Sequence, residues 1–530
     1  MTPPPTIFQR RIVIGAVICV MAFALVGVRL IDVTVLKPGA AAKLAEPSEV
    51  ARADLVDRNG ELIARDLPAD DLYARPHLFA DRSRAAHALA VATGTDEKRL
   101  AQMFSSKRGY VLIDRQLPPD KRTKVKLLGL PGLEYEPGSK RYYPDGRLTA
   151  QVLGVTDTDG KGVSGLELGL DPQLHAERPG SSVATSLDMR VQFILAHETQ
   201  ATMTEFSARA AGGLVMDVRT GEILALVSLP DFDPNARDYL GTESTRNVMV
   251  QNVYELGSVF KIFSFALAMQ DHTVRLDEQL PIGNGYKIGK FTIHEAEHMP
   301  ATLAARDVLG QSSNIGTAQI ALRSGPGRQR AFLQKMGLLA PIRTELPESA
   351  RPLFPTNWGT VETATIGFGH GISVSPLAFA AAAASVVNGG RRVAPTFLKH
   401  PADARGEQVI SPETSATMRG LLRYVVTNGT GKKADVPGYD VGGKTGSAEK
   451  VGLHGKYTHK LVTSFCAIFP IEEPRYLVFV MLDEPHGTKA TSGFALAGYT
   501  AAPLAGQVIS RIAPLLGVPM KPVAVSKENS

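Results

Sequence analysis

Cysteine is nearly absent from this chain. Two occur in 530 residues, Cys19 inside an apolar run and Cys466 far downstream, so no intramolecular disulfide is expected and the redox compartment stays open. Tryptophan occurs once and aromatic residues make up 6%, with no basic stripe interleaved with aromatics. Charge of one sign is scarcely in excess: 58 basic against 52 acidic residues, a net +6 spread along the whole chain. No nucleic-acid footprint is implied. There is no internal repeat. What is present is an ordinary globular composition, 44% apolar and 21% charged, in a chain long enough for more than one domain.

One uncharged apolar run stands out, Ile12 to Val28, preceded by Arg10 and Arg11. It is roughly 26 Å long as a helix, at the lower end of a bilayer span. Extending it through Leu30 and Ile31, with Arg29 snorkelling to the headgroups, gives a membrane anchor over 12–31. The arginines predict a cytoplasmic tail over 1–11 and everything after the span outside. A cleaved signal peptide is the rival, but the small residues "GAAAK" at 39 to 43 lie far beyond the run, which favours an anchor.

From Arg52 to about Gly180 the sequence is rich in turns, and "RADLVDRNGELIARDL" predicts a hairpin around Asn59-Gly60. The segment 32–180 is expected to be a β-rich, non-catalytic domain. The pattern then changes. A helix opens at Asp188; "GGLVMDVRTGEILALVSLP" predicts a hairpin around Thr220-Gly221, and "SFCAIFPIEEPRYLVFVMLDEP" another around Glu473-Pro474. With the strand "DVGGKTGSAEKV" these make five strands, flanking a long middle section with helical patterns such as 301–323 and 374–388. An α+β domain over 181–515, an antiparallel five-stranded sheet with helices packed on it, is the expected assembly, followed by a flexible tail over 516–530.

The chemistry starts at "YELGSVFKIF", residues 254 to 263. Gly257 permits a tight turn, and Ser258 then sits at or near a helix N-terminus, where the dipole favours developing negative charge. Lys261, three residues on, shares its helix face. Among Phe260, Ile262, Phe263 and Phe265 its ammonium is expected to be desolvated and its pKa lowered, so that a neutral amine can take the serine proton. Ser-x-x-Lys alone is a common coincidence, and an N-cap serine with a snorkelling lysine explains it equally. Two further pieces alter the balance. "SSN", Ser312 to Asn314, opens a helix and presents a hydroxyl and an amide. "KTGS", Lys444 to Ser447, lies on a strand where Lys444, Thr445 and Ser447 offer a cation and two hydroxyls and Gly446 lets a ligand approach the backbone.

S-x-x-K, S-x-N and K-T-G in this order form the signature of penicillin-interacting serine acyltransferases. With "DRNGELIA", "GVSGLELGLD", "VMDVRTGEILALVSLPDFDPN", "SSNIGTAQIAL", "GFGHGISVSPL" and "TNGTGKKADVPGYDVGGKTGSAEKVG", the chain from about Arg52 to Pro503 resembles a class B penicillin-binding protein. It is most similar to the septal, division-specific members around "GFGHGISVSP" and "KTGSAEKV". The resemblance implies membrane anchor, pedestal and transpeptidase domain in that order, and a peptidoglycan D,D-transpeptidase without a cofactor. Ser258 would attack the penultimate D-Ala carbonyl of a stem peptide, with Lys261 as base and Ser312 and Lys444 relaying the proton to the leaving amine. By the same analogy the backbone N–H groups of Ser258 and Ser447 form the oxyanion hole. Asn314 would hold the substrate amide, and Thr445 and Ser447 the terminal carboxylate. It implies β-lactams as inhibitors, an inner-membrane location, and a membrane glycan polymerase and other division proteins as partners.

The chain departs from the family where it has Leu256 for proline, Val259 for a hydroxyl residue and Ser447 for threonine. An elongation-type transpeptidase, a non-turnover β-lactam-binding scaffold, and a D,D-carboxypeptidase or β-lactamase are the alternatives. "HEAEH", His294 to His298, matches a zinc-peptidase pattern, but "YKIGKFTI" before it alternates like a strand and Pro300 follows closely, so no metal site is expected there. Trp358 and "GFGH" are read as packing and groove wall.

Overall fold

A computed structural model describes residues 16–17, 20–27, 52–177, 180–236, 239, 241–400, 406–452 and 456–522. Its chain divides into two units, Leu67–Lys140 with Met1–Ala51, and Arg52–Asp66 with Arg141–Ser530. Of the anchor expected over 12–31, only residues 16–17 and 20–27 are described, and they are helical. The rest of it, the tail 1–11 and residues 523–530 lie outside the described residues. Among the described residues no helix is long and apolar enough to cross a membrane, because they cover only part of the apolar run.

In the smaller unit, residues 70–74 pair antiparallel with Val111–Leu117. Three helices, Arg82–Thr93, Glu97–Ser105 and Pro119–Leu127, close a core of Leu72, Leu89, Leu100, Phe104, Ile113 and Val125. Asp81 and Asp96 cap the first two by accepting hydrogen bonds from first-turn N–H groups. A β-rich reading of this region misses these helices. The first buries mainly alanines, which hydropathy periodicity barely registers.

The larger unit begins with the expected hairpin, where Leu55 and Val56 pair with Ala64 and Leu62. Its centre is an antiparallel sheet of β1 (Ala210–Asp217), β2 (Ile223–Leu229), β3 (Gly442–Val451), β4 (Tyr457–Phe469) and β5 (Tyr476–Asp483). The order across it is β3-β4-β5-β1-β2, so the K-T-G strand β3 is an edge. Because side chains alternate along a strand, neighbours in sequence enter opposite cores. Leu214, Met216, Phe479 and Met481 join one cluster, whereas Val215, Val478 and Val480 join the other. The helices α1 (Met189–Glu205) and α6 (Ala501–Leu515) cover the second face through Val191, Leu195, Val508 and Ile512. On the first face lie α2 (Lys261–Gln270), α3 (Asn314–Lys335), α4 (Pro376–Val387) and α5 (Pro412–Asn428). Each fully buried Leu, Met or Phe contributes roughly 1.5–3 kcal/mol.

Local sequence explains where these helices start. Asp188 caps α1, as its sequence predicts. Ser375-Pro376 and Ser411-Pro412 pair an N-cap hydroxyl with a proline in the first turn, where its missing N–H costs nothing. The helical pattern over 301–323 is not one helix. Thr302–Ala304 is a strand, Ala305–Gly310 a short helix, and α3 begins only at Asn314, because Ser312 adopts a left-handed backbone with φ of 65°.

Candidate active site

Three segments far apart in sequence meet at the edge strand β3. Residues Gly257–Phe260 form a 3₁₀ turn that runs into α2. Gly257 has φ of 60°, and a Cβ there would stand 2.7 Å from the Ser447 carbonyl oxygen. On β3, a Cβ at Gly446 would meet the Leu256 carbonyl oxygen at 2.5 Å. Two glycines therefore let the serine turn lie directly against the strand. What approaches Gly446 on that side is the protein's own backbone.

Ser258 is half-buried and lines a cavity of about 380 Å³ together with Ser312, Asn314, Thr445 and Ser447. Alternation along β3 puts Thr445 and Ser447 on the same side, facing this space. The Thr445 hydroxyl is hydrogen-bonded to that of Thr430 at 2.7 Å, and the Ser447 hydroxyl accepts from Ala497 N at 3.0 Å.

Behind the cavity lie two lysines with no exposed surface, Lys261 and Lys444. Lys261 Nζ donates to the Ser312 carbonyl, to Ser312 Oγ at 3.1 Å and to Asn314 Oδ1 at 2.9 Å. Lys444 Nζ donates to the same Ser312 Oγ at 2.9 Å and to the Thr445 carbonyl at 3.1 Å. The left-handed Ser312 is what turns both its carbonyl and its hydroxyl toward Lys261, a strained conformation at the centre of the cluster.

Burial alone pushes Lys444 down to about 7. Burial, and then the charge of Lys444, hold Lys261 well below the usual lysine range, while Glu295 opposes them. His370, another cavity residue, is pushed down to about 4 by burial and by the charge of Lys261. A charged lysine has three hydrogens and no acceptor, which matches the three acceptors around Lys261. A neutral one has two hydrogens and a lone pair. Of its partners only the Ser312 hydroxyl can reverse and donate. In the neutral state a proton path thus runs between Lys261 and Lys444 through Ser312 Oγ.

The residues picked out in the sequence therefore come together. Ser258, Ser312, Asn314, Thr445 and Ser447 line one space, Lys261 and Lys444 sit beneath it, and Gly446 seats the serine turn. Sequence reasoning missed Glu295, whose carboxylate accepts from Ser313 Oγ and from the N–H groups of Asn314 and Ile315. Its only sequence signal, the His-Glu-x-x-His spacing, points to other chemistry. That pentapeptide is not helical, so His294 and His298 share no helix face. Thr430 was also missed as a cavity residue, whereas His370, another lining residue, lies in the "GFGH" stretch read as groove wall.

Comparison with known proteins gives the same parts in the same order. Residues 211–507 match the transpeptidase domain of penicillin-binding proteins, and residues 47–192 the penicillin-binding protein dimerisation domain. The chain is 39% identical to a probable peptidoglycan D,D-transpeptidase FtsI of Caulobacter vibrioides, over 98% of this chain and 91% of that one. With the peptidoglycan D,D-transpeptidase FtsI of Escherichia coli the identity is 28%, over 84% and 81%. A crystal structure of penicillin-binding protein 3 from Mycobacterium tuberculosis, complexed with aztreonam, superposes with a TM-score of 0.70 at 27% identity, covering 90% of this chain and 99% of that one. The chain belongs to the class B penicillin-binding proteins, which join a dimerisation domain to a transpeptidase domain.

Proposed function

We propose that this protein is a peptidoglycan D,D-transpeptidase of the septal type, crosslinking stem peptides through an acyl-enzyme on Ser258. The observation that carries the reading is the hydrogen-bonded run from Lys261 through Ser312 Oγ to Lys444, buried beside a cavity that Ser258 lines. Ser258 Oγ attacks the penultimate D-Ala carbonyl, and its proton passes to neutral Lys261. The Ser312 hydroxyl and Lys444 return a proton to the departing D-Ala amine, and an amine from a second strand then takes the acyl group. The N–H groups of Ser258 and Ser447 stabilise the tetrahedral oxyanion, an effect worth a few kcal/mol. Asn314 holds the substrate amide, and Thr445 and Ser447 take the terminal carboxylate.

The position of β3 at the sheet edge, with no further strand beyond it among the described residues, supports this reading, since an extended peptide can add there. β-Lactams are the expected inhibitors, as the aztreonam and ampicillin complexes of the mycobacterial relative suggest. The dimerisation-domain region acts as a pedestal, over 32–180, for a catalytic domain over 181–515. Residues 12–31 anchor the protein in the inner membrane with the catalytic domain in the periplasm, beside a glycan polymerase and other division proteins. The exposure of Phe23 and Leu25, 79% and 74%, suits a lipid-facing helix. Labelling with a fluorescent penicillin tests the acyl-enzyme: the parent is expected to label and Ser258→Ala not, and equal labelling of the two would refute the assignment. Donor pentapeptide supplied with an acceptor amine then separates crosslinking from hydrolysis.

A further inference from the structure

We propose that Glu295 is a positioning residue for acylation: it fixes the Ser312–Asn314 turn on which Lys261 is held, and it places a negative charge toward that lysine. The inference rests on the acyl-enzyme reading above.

The geometry is a bridge between two loops. Glu295 Oε1 accepts from Ser313 Oγ at 2.5 Å and from Ile315 N at 3.0 Å, and Oε2 accepts from Asn314 N at 2.8 Å. Ser313 is the N-cap of α3, its Oγ accepting in turn from Gly316 N at 2.9 Å. The carboxylate therefore binds N–H groups that the helix itself leaves unpaired, where the helix dipole favours an anion. Asn314 links this cap to the chemistry. Its backbone is held by Glu295, and its Oδ1 accepts from Lys261 Nζ at 2.9 Å. If the cap slips, both the Ser312 hydroxyl and the Asn314 amide move away from the lysine.

The charged and titratable groups that face Lys261 come from three elements: Lys444 on β3, His370 on the loop after the helix Thr360–Gly367, and Glu295. Lys444 and Glu295 act in opposite directions, and His370 lacks a charge near neutral pH. Glu295 is thus the counterweight that keeps Lys261 basic enough to accept a proton from serine while burial and Lys444 lower it. Removing a nearby opposite charge lowers a lysine's proton affinity further, by about one pH unit.

The test is the pH profile of the second-order acylation rate by benzylpenicillin, in the full-length protein, for the parent, Glu295→Gln and Ser313→Ala. Glu295→Gln keeps the shape but not the charge, and its acid limb is expected to move about one pH unit lower, with a plateau several-fold reduced. Ser313→Ala keeps the charge and loses two bonds, the one to Glu295 and the N-cap bond from Gly316 N, so its plateau falls while the limb stays in place. A Glu295→Gln limb that coincides with the parent's would overturn the proposal, as would an equal shift in Ser313→Ala. A Glu295→Gln protein that no longer folds would mark the residue as structural alone and overturn it too. A parent that is not acylated at all would sink the enzymatic reading instead, a separate result.

Discussion

Lys261 and Lys444 donate to the same atom. Ser312 Oγ lies 3.1 Å from one lysine Nζ and 2.9 Å from the other. Two buried lysine amines converging on one hydroxyl is a costly arrangement for a fold, and it is the arrangement expected where a proton has to be handed from one nitrogen to another.

Ser312→Ala removes that shared atom. General acid–base relays contribute about 10²–10⁴-fold, so acylation by penicillin is expected to fall by at least about 10²-fold. Ser258 remains accessible to the cavity, so binding before acylation changes less than the acylation step. Stopped-flow separation of the two constants checks this, and an unchanged acylation constant would remove Ser312 from the relay.

Stability should carry the signature of Lys444. Its pKa is about 7 in the folded protein against about 10.4 for a free lysine, so between these values the unfolded chain binds the extra proton. The cost of holding this group as a buried cation is therefore fully present below about 7 and is lost as pH rises across that window. In Lys444→Met the contribution disappears. Its melting point, compared with the parent's, is expected to be most favourable near pH 6, and the gap to close as pH climbs from 7 toward 10. A gap independent of pH would mean that Lys444 titrates normally.

The three signature segments were legible in the sequence because each is a short run whose residue types carry the chemistry. The five strands were legible because short apolar, β-rich runs bounded by turn residues marked them. Glu295 was not. Its importance comes from a loop folding back onto a helix end, a contact no local spacing encodes, and the flanking histidines suggested a different site. The pattern over 301–323 failed for a related reason: tertiary demand on Ser312 forces a left-handed residue into a helix-like sequence. The alanine-faced helix Arg82–Thr93 escaped because small side chains give little amphipathic contrast.

Gly257→Ala tests the close seating of the serine turn. The left-handed backbone alone costs a non-glycine residue about 1–2 kcal/mol. The added methyl would also stand 2.7 Å from the Ser447 carbonyl oxygen, a backbone atom that cannot rotate away. Loss of stability of about 2 kcal/mol or more is expected, together with loss of labelling, since the turn and β3 must separate. Retained labelling at a lower melting point would show that the seating serves stability only.

Far from the cavity, Glu167 should be the most sensitive charge in the larger unit. It has no exposed surface, and Arg52 and Arg141 each approach it at 2.7 Å, with Arg141 also on Asp66 and Arg52 on Asp171. Removing one member of such a cluster strands buried guanidinium charge, which costs about 3–5 kcal/mol, whereas replacing a whole cluster by well-packed apolar residues is often neutral. Glu167→Ala is therefore expected to destabilise the protein by an amount in that range. A combined Arg52→Met, Arg141→Met, Glu167→Leu, Asp66→Asn, Asp171→Asn variant, which leaves no member of the cluster charged, should recover much of the loss. Denaturant unfolding of the two variants decides it, and a combined variant no more stable than Glu167→Ala would show that the cluster contributes through its hydrogen bonds to the Ala53, Gly160 and Glu167 carbonyls rather than through charge balance.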